Sequence, residues 1–568
     1  MIAFDNINKY ANYLSTWYLN KVLGLIFITI LAFYLLSIGT AEHTGVTGKD
    51  EYYLSMRIPL CMQEQQVWVI PCLDTQPRLR KPPLLYWLTR ASFEVFGTSI
   101  ASARLVAVSF GAMLILAVGV LTLQLGHSIA TAINTSLVML SCVGLAIGGR
   151  ILELDVPVAT FSTWATVGLL HWYHTNRLSS AFLAIISLSA GFLTKGPVVA
   201  VVCGSGILAL LMTDRAFRQF LRTQRLHILL LLSTFILLTT PWFIYVYLLY
   251  PNVSSEVLQS ELAARRFLHL SLTPISGTIL LAWPWSFIVL LRIYHYKLEP
   301  SASKKHLPML ILWLIWSLVP FFLMRSFERY LIGSLVPIAL LLSIHNHTIP
   351  KYWIWPARIG LTLALIITTI IQILAITLAG ISNSWWLIIT ISVNIWFVMQ
   401  WWYPQHLRLM ALSAALLWSS TMGLVYPKLG INKIPVELVT QVKTSEVVLF
   451  DGPQPALLPA LLQRSLIHID NTWQLPKHLL TPCTQFFLLA NAWQNDQVLS
   501  GITTLQLQAS VQSSYGIFSS QVKWVNMFRP GLSAAQIINA IRTGHLETIK
   551  PQVILYKISN PKCTFQAN

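Results

Sequence analysis

Long apolar runs separated by short polar loops dominate the sequence up to about residue 426. Each run is close to the roughly 20 residues that a helix needs to cross the hydrocarbon core of a bilayer. Because no water enters that core, backbone amides and carbonyls must bond within the segment, and a helix satisfies all of them. Only 10% of the 568 residues are charged, which is well below the share in soluble domains. The sequence therefore predicts an α-helical polytopic membrane protein.

About thirteen runs satisfy this length criterion. An odd number of spans places the two termini on opposite sides of the membrane. The first run has no small-residue cleavage site behind it, so we interpret it as a span and not as a signal peptide. The approximate cores of the predicted spans are 22–38, 104–125, 130–147, 157–173, 181–194, 197–212, 227–249, 275–291, 308–324, 330–344, 357–379, 385–402 and 407–426.

The positions of lysine and arginine favour a cytoplasmic N-terminus. In this orientation the cytoplasmic loops include the arginine-rich segment 215–225 and contain few acids. Cations also recur in nearly every loop of the opposite side, where we interpret them as converging on a polyanionic substrate. Ordinary loop charges and phospholipid contacts are the alternative. These external cations are Lys49, Arg57, Arg78, Arg80, Lys81, Arg90, Arg150, Lys195, Arg265, Arg266, Arg325 and Arg329.

The sequence changes character after residue 426, where apolar runs give way to a mixture of short strand and helix patterns. Buried strands are predicted at 447–450, 485–489 and 553–556, and helices at 456–463 and 534–542. We therefore divide the chain into a membrane domain, 1–426, and a small α/β domain, 427–568, on the external side. The α/β domain has no nucleotide-binding glycine motif and no P-loop.

The loop between the first two spans, 42–100, is the longest polar segment of the membrane domain. It contains the acids Asp50 and Glu51 and a basic run at 78–81. A third acid, Asp155, opens the fourth span, and Lys195 ends the fifth at a Gly-Pro turn. Carboxylates at a membrane edge are costly and usually functional, although helix-terminal charges and lysine snorkelling are the structural alternatives.

Four of the six cysteines fall in polar regions, and the other two, Cys142 and Cys203, fall in apolar runs. If the polar regions are extracytoplasmic, the disulfides Cys61–Cys72 and Cys483–Cys563 are compatible with an oxidising compartment. The alternative is that all four thiols are reduced.

Four segments, in this order, resemble one family of membrane enzymes. They are Asp50-Glu51, Lys-Pro-Pro-Leu-Leu-Tyr-Trp-Leu at 81–88, Asp155-Val156-Pro157, and Phe-Leu-Thr-Lys-Gly-Pro at 192–197. The sequence is similar to the C-type membrane glycosyltransferases, which use polyprenyl-phosphate sugars. The most similar branch is the lipid A 4-amino-4-deoxy-L-arabinose transferases, and protein mannosyltransferases are related. Segments 241–267 and 330–337 fit the same family.

This resemblance implies an active site on the periplasmic face of a bacterial inner membrane. Asp50 matches the catalytic carboxylate, Glu51 is its substitute, and Asp155 matches the second acid. The expected reaction is inverting displacement of a polyprenyl phosphate by an acceptor oxygen. The residues expected at the lipid phosphate are Lys81, Lys195, Arg78, Arg80, Arg265, Arg266 and Tyr330.

The sequence departs from the aminoarabinose branch at two positions that matter for a metal. A glutamate of that branch is Arg80 here, and an expected histidine is Leu262. Divalent metals need oxygen or imidazole ligands. We therefore do not predict a cofactor; a divalent metal stays the alternative, although its expected ligands are missing.

The predicted function is transfer of a sugar, with 4-amino-4-deoxy-L-arabinose as one candidate, from undecaprenyl phosphate to lipid A or another envelope acceptor. The predicted partners are this donor, the acceptor and membrane lipids, with no nucleic acid. A protein O-mannosyltransferase-like enzyme is the first alternative. A transporter of lipid-linked sugars is less favoured, because we find no internal repeat.

Overall fold

The computed structural model describes residues 2–42, 51, 56–73, 76–265, 270–294, 306–344, 354–379, 385–402, 406–450, 458–518, 528–529 and 531–561. Among the predicted residues, Lys49, Asp50, Arg266 and Cys563 lie outside this part, as does the side chain of Arg265.

Helices make up nearly all of the described chain up to residue 429. Several are too short or too polar to span a membrane alone and lie in the connections. These helices are α1 (Ile2–Ser37), α2 (Arg57–Glu64), α3 (Leu84–Phe96), α4 (Ile100–Gln124), α5 (Ile129–Ser141), α6 (Val143–Gly148), α7 (Asp155–Thr175), α8 (Leu178–Lys195), α9 (Val198–Thr213), α10 (Arg215–Thr223), α11 (Arg225–Leu249), α12 (Pro251–Arg265), α13 (Thr273–Leu281), α14 (Ser286–Tyr294), α15 (Leu307–Phe322), α16 (Leu335–Ser343), α17 (Ile354–Ala379), α18 (Trp385–Trp402) and α19 (Leu407–Ser420).

By length and apolar composition, 6 of the described helices can cross a bilayer, or up to 8 if each of two sharply bent pairs is one span. The bent pairs are α9 with α10, at 109°, and α13 with α14, at 113°. The predicted span 275–291 falls on the second bent pair, where Pro284 lies in the break and cannot donate a backbone hydrogen bond. The chain is a multi-pass membrane protein, and the predicted number of thirteen spans stays a prediction.

A 3₁₀ helix, Glu328–Ser334, precedes α16 and carries two residues of the candidate site. After α19 the helical path continues through a π-helical turn, Thr421–Val425, and a 3₁₀ turn, Tyr426–Leu429. It ends at Gly430, whose positive φ of 66° suits a residue without a side chain. The predicted boundary at 426/427 thus falls within this helical path, and it stays a prediction.

The region after residue 429 contains a five-stranded sheet. Its strands, in spatial order, are β4 (Ile467–Ile469), β3 (Val447–Phe450), β5 (Gln485–Asn491), β7 (Gln552–Ser559) and β6 (Gln508–Gly516). Strands β4, β3 and β5 are parallel, and β7 joins antiparallel between β5 and β6. The predicted strands correspond to β3, β5 and β7, so the small α/β region is confirmed. Its elements are α20 (Val436–Val442), β3 (Val447–Phe450), α21 (Leu458–Leu462), β4 (Ile467–Ile469), β5 (Gln485–Asn491), α22 (Asn495–Thr504), β6 (Gln508–Gly516), α23 (Ala534–Thr543) and β7 (Gln552–Ser559).

The loop after α1 folds as a small unit that contacts the sheet region. A short hairpin, β1 (Cys72–Leu73) with β2 (Gln76–Pro77), follows α2, and a disulfide joins Cys61 of α2 to Cys72. Of the two alternatives that the sequence left open for Cys61 and Cys72, the structure thus has the disulfide, whereas Cys563 of the second pair lies outside the described residues. The Gln463 side-chain amide donates to the Thr98 carbonyl at 3.1 Å, which connects the sheet region to this loop.

Candidate active site

A cavity of about 650 Å³ opens between the first loop, the α8–α9 turn and helices α11 and α12. Its walls are mostly apolar and include Phe192, Val201, Trp242, Phe243 and Val246. Trp242 is held in place, because its indole N–H donates to the Val69 carbonyl at 2.9 Å. Such a cavity can take up an apolar chain, so the few charged residues on its wall determine which head group it would accept.

The cations on the cavity wall are Arg80, Lys81 and Lys195. Lys81 Nζ lies 2.9 Å from Glu261 Oε2 of α12, and this carboxylate also lines the cavity. Lys81 and Lys195 are near enough to repel each other electrostatically. The structure therefore brings together two predicted lysines from sequence positions more than a hundred residues apart.

Lys195 reaches the cavity because of how the α7–α8 hairpin folds. Helix α7 has 21 residues and α8 has 18, so α8 returns to the level at which α7 began. Asp155 is the first residue of α7 and Lys195 is the last of α8, where each charge is favoured by its helix dipole. Gly196 then ends α8 with a positive φ of 71°, a conformation that glycine adopts without strain.

Asp155 and Lys195 form a buried ion pair through Oδ1 and Nζ. Asp155 is only 6% exposed, so burial of its charge depends on this partner. The Lys195 ammonium also lies 3.9 Å from the centre of the Tyr330 ring, in a cation–π contact. Three predicted site residues therefore form one cluster: a lysine at the cavity wall, an acid behind it and an aromatic ring over it.

Arg329 extends this cluster from the same 3₁₀ helix as Tyr330. Its Nε lies 3.6 Å from Asp155 Oδ2, and its Nη1 lies 3.6 Å from Glu153 Oε1. From the sequence, Arg329 was predicted only as one of the external cations. No role was predicted for Glu153, and the pairing of Glu261 with Lys81 was not predicted. The signal for Glu153 was present, since an acid two residues before Asp155 lies at the same membrane edge.

Glu51 is fully buried and lies in a different environment from the cavity. Its Oε1 accepts a hydrogen bond from Arg104 Nε at 2.9 Å and another from the Leu152 amide at 3.3 Å. Arg104 also donates to the carbonyls of Thr40 and Glu42, both at 3.0 Å. This arrangement fastens the first loop to α4 and to the segment before α7. Asp50, the other predicted catalytic acid of this loop, lies outside the described residues.

The external cations have several different surroundings. Arg90 stacks 4.0 Å over the Trp68 ring and donates to the Val67 carbonyl, and Arg78 is half-buried with its amide bonded to the Pro71 carbonyl. Arg150 donates to carbonyls of Ala146, Ile38 and Leu35. Burial, and then repulsion from Arg104, lower the pKa of Arg150 to about 10, so it remains charged at neutral pH. Arg90, Arg78 and Arg150 are thus bonded within the protein, whereas the cations that lie together are those at the cavity wall and in the Asp155 cluster.

A divalent metal does not fit the described cavity residues. No group of three or more His, Cys, Asp or Glu side chains that could hold a metal occurs in the described ranges. Glu261 is bonded to Lys81, Arg80 is on the same wall, and Leu262 supplies no ligand atom. Since cations beside a single carboxylate oppose metal binding, we derive no catalytic step through a metal.

Residues 21–255 match the sequence model of a family described as dolichyl-phosphate-mannose-protein mannosyltransferase. Two uncharacterised proteins of Aquifex aeolicus (strain VF5) are 27% identical over 244 residues and 28% identical over 205 residues. These alignments cover 42% and 36% of this chain and 46% and 45% of the relatives, so the chain spans about half the length of the curated relatives it matches.

Two solved structures have the same fold over nearly the whole chain. They are ArnT from Cupriavidus metallidurans bound to undecaprenyl phosphate, with a TM-score of 0.67 and 15% identity, and the same protein in the apo state, with 0.66 and 14%. Each alignment covers 94% of this chain and 98% of the other. The predicted resemblance to the C-type membrane glycosyltransferases is thereby confirmed for the fold, and residues 21–255 add the match to the mannosyltransferase family model.

Proposed function

We propose that this protein is an inverting glycosyltransferase that moves a sugar from undecaprenyl phosphate to lipid A or another cell-envelope acceptor. The observation that carries the proposal is the apolar cavity whose wall holds Lys81 and Lys195. Its apolar side chains suit a polyprenyl tail, and its ammonium groups suit one phosphate. The ArnT structure that shares this fold contains undecaprenyl phosphate, which supports a donor of the same class.

We place the reaction on the periplasmic face of a bacterial inner membrane. The Cys61–Cys72 disulfide lies in the loop whose basic segment lines the cavity, and disulfides persist in oxidising compartments. The opposite ends of α7, α9 and α11 meet an arginine-rich segment, as the positive-inside rule expects of the cytoplasmic side. These two arguments are independent and favour the same orientation, with a cytoplasmic N-terminus and a periplasmic α/β region.

In the proposed reaction an acceptor oxygen attacks the anomeric carbon of the donor sugar. The bond from that carbon to the phosphate oxygen breaks, and its electron pair leaves on undecaprenyl phosphate. Lys195 and Lys81 stabilise the negative charge that develops on this leaving group, which is commonly a large part of catalysis. Asp155 holds Lys195 in position through their ion pair, and Tyr330 and Arg329 restrict the movement of both.

We assign Asp50 to the reacting end of the site as the catalytic carboxylate. If the acceptor is a hydroxyl group, Asp50 takes its proton as the general base. If the acceptor is a lipid A phosphate, the attacking oxygen is already anionic, and Asp50 orients the acceptor. We assign Glu51 to anchoring, because its bonds to Arg104 and Leu152 occupy it within the protein interior.

Lipid A is our first choice of acceptor, and 4-amino-4-deoxy-L-arabinose our first candidate sugar, because segments 81–88 and 192–197 resemble the lipid A 4-amino-4-deoxy-L-arabinose transferases. The protein O-mannosyltransferase alternative is favoured by the family model that matches residues 21–255. The changes at Arg80 and Leu262 lie in the cavity wall, where they alter the surroundings of the donor phosphate.

Mass spectrometry of lipid A and of total periplasmic protein, in cells with and without this chain, tests the acceptor. We expect a sugar-sized mass increase on lipid A that disappears in Asp50→Asn and Lys195→Ala cells. An increase confined to periplasmic proteins would favour the mannosyltransferase alternative. Purified protein that moves labelled lipid-linked sugar across vesicles and leaves it chemically unchanged would identify a transporter and refute the proposal.

A further inference from the structure

The end of the membrane helices opposite the cavity contains a second pocket, of about 300 Å³, which the proposed reaction does not use. It lies where α9, α10 and α11 meet, and it is lined by Leu211, Arg218, Leu221, Arg222 and Arg225. Helix α9 begins at the cavity and has 16 residues, so this pocket is roughly 24 Å away along the helix. The site therefore lies at the other membrane surface.

Helix α10 is amphipathic, and its apolar face is already occupied by protein. Phe217 is completely buried, and its ring lies 5.2 Å from that of Tyr173. Phe220 packs with a centroid distance of 5.0 Å against Trp172 of α7. A free amphipathic helix would insert these rings into lipid. Here the protein holds them, so the arginine face of α10 is presented in a preformed orientation.

The start of α10 is rigidly defined by Asp214, the acid nearest to these arginines in the sequence. Its Oδ1 accepts from the Phe217 amide and its Oδ2 from the Tyr173 hydroxyl, both at 3.1 Å. Asp214 is thus engaged as the cap of α10. Within the described ranges, Arg222 and Arg225 form no ion pair, and their side chains are exposed.

Arg218 has a different role from the other two arginines. Its guanidinium is half-buried and donates to the carbonyls of Leu211 and, at 3.4 Å, Met212, which are left open at the end of α9. It therefore joins α9 to α10 and forms the floor of the pocket. Arg222 lies on α10 and Arg225 on α11, and Leu211 and Leu221 complete the lining.

We propose that this pocket binds the phosphate head group of an acidic phospholipid. Guanidinium groups match phosphate oxygens with paired N–H donors, and the two leucines suit the first carbons of acyl chains. Basic pockets between membrane helices on the cytoplasmic side bind acidic head groups in other proteins. The expected ligand is a structural lipid and not the sugar donor. This proposal therefore does not depend on the proposed reaction.

The test uses the full-length protein in phosphatidylcholine nanodiscs that contain increasing amounts of phosphatidylglycerol, with bound lipid measured by native mass spectrometry. We expect phosphatidylglycerol to bind the wild type, and the Arg222→Gln/Arg225→Gln variant to bind it about twenty-five-fold more weakly, since each surface arginine contributes roughly fivefold. Sugar transfer at the opposite face should be unchanged in this variant, so the two proposals can fail separately.

The matched control is Arg177→Gln/Arg215→Gln, which removes two exposed arginines from the same end of the molecule but outside the pocket lining. We expect it to weaken binding less than about threefold. Equal weakening in both variants, or equal binding of phosphatidylcholine, would overturn the proposal. So would competition by millimolar inorganic phosphate, which would identify a free-phosphate site. Single Arg222→Gln and Arg225→Gln variants keep the test decisive if the double variant unfolds.

Discussion

The cations at the two ends of the membrane helices differ in their partners. At the cavity end, Lys81 is bonded to Glu261, Lys195 to Asp155, and Arg104 to Glu51. At the opposite end, the only acid within segment 213–225 is Asp214, and it caps a helix. A similar density of positive charge therefore has two different environments in one protein.

The two ends indicate that the partner of a cation matters more than the number of other cations around it. An acidic partner distinguishes the proposed reaction site from the proposed lipid pocket. A paired, buried lysine has its position defined before a substrate arrives, which is what stabilisation of a leaving group requires. An exposed arginine attracts any anion and is screened by salt.

The Asp155–Lys195 pair should separate stability from activity. Lys195→Met leaves Asp155 buried without its closest cation, and we expect a loss of about 3–5 kcal/mol in unfolding free energy. Asp155→Leu/Lys195→Met removes both charges and should regain most of that stability. Both variants should lose at least about a hundredfold in transfer rate, because the cation at the leaving phosphate is absent.

Thermal unfolding and a transfer assay with purified protein check this prediction. Conservative Lys195→Arg serves as the control, since it keeps the charge. A double variant that transfers sugar at the wild-type rate would show that the pair only supports the fold.

The disulfide should stabilise the cavity end alone. The two cysteines are 11 residues apart in sequence, and a loop of that length corresponds to about 2–3 kcal/mol. We expect Cys61→Ser/Cys72→Ser to lower the melting temperature and leave phosphatidylglycerol binding at the opposite end unchanged. Loss of both properties together would mean that the two ends are coupled. Cys203→Ser, at a buried free cysteine, is the control.

Lys81 and Glu261 should have opposite effects on the donor. Lys81→Ala removes a phosphate contact, so we expect the KM for the donor to rise about tenfold. Glu261→Gln removes the carboxylate that competes for Lys81, and the KM should fall a few-fold, in keeping with the small energy of a partly exposed pair. Steady-state kinetics over donor concentration measures both. A raised KM in Glu261→Gln would instead make Glu261 a positioning residue for Lys81.

The smallest expected effect concerns His468 of β4, which lies near Arg57 of α2. Burial, and then the positive charge of Arg57, lower the pKa of His468 to about 2. In the unfolded chain histidine titrates near 6.5, so the unfolded state binds more protons below that pH. Stability should therefore fall as the pH decreases from about 6.5, by about 1.4 kcal/mol per pH unit at most.

Melting temperatures at pH 7.5 and 5.5 check this dependence. His468→Phe should reduce this dependence, because it removes the buried group that takes up the proton on unfolding. An unchanged profile in His468→Phe would show that other groups control acid sensitivity.

Much of the fold was predictable because its causes are local. Apolar runs of membrane length require helices, and alternating polar and apolar segments after residue 426 indicated the α/β region. The breaks were harder to predict. The predicted span 130–147 is two helices separated at Cys142, and 275–291 is a sharply bent pair. Hydrophobicity averaged over a stretch of sequence does not indicate where the backbone turns inside a protein.

For the candidate site, the sequence identified the types of residue better than their partners. Asp155, Lys195 and Tyr330 were predicted from motifs, and they lie together in the structure. The motifs did not distinguish Glu51, which is buried against Arg104, from a carboxylate of the cavity. They also did not reveal that Glu261 would bond to Lys81, 180 positions away in sequence.

The sequence by itself determined that the chain lies in a membrane, which cations its loops contain, and which enzyme family it resembles. These follow from composition, from the length of apolar runs and from short motifs, all of which are properties of neighbouring residues. Only the tertiary structure decided which cation meets an acid and which faces an open pocket. That outcome depends on helix lengths and bends. They bring Asp155 and Lys195 together at one end of the membrane helices and place Arg222 and Arg225 at the opposite end.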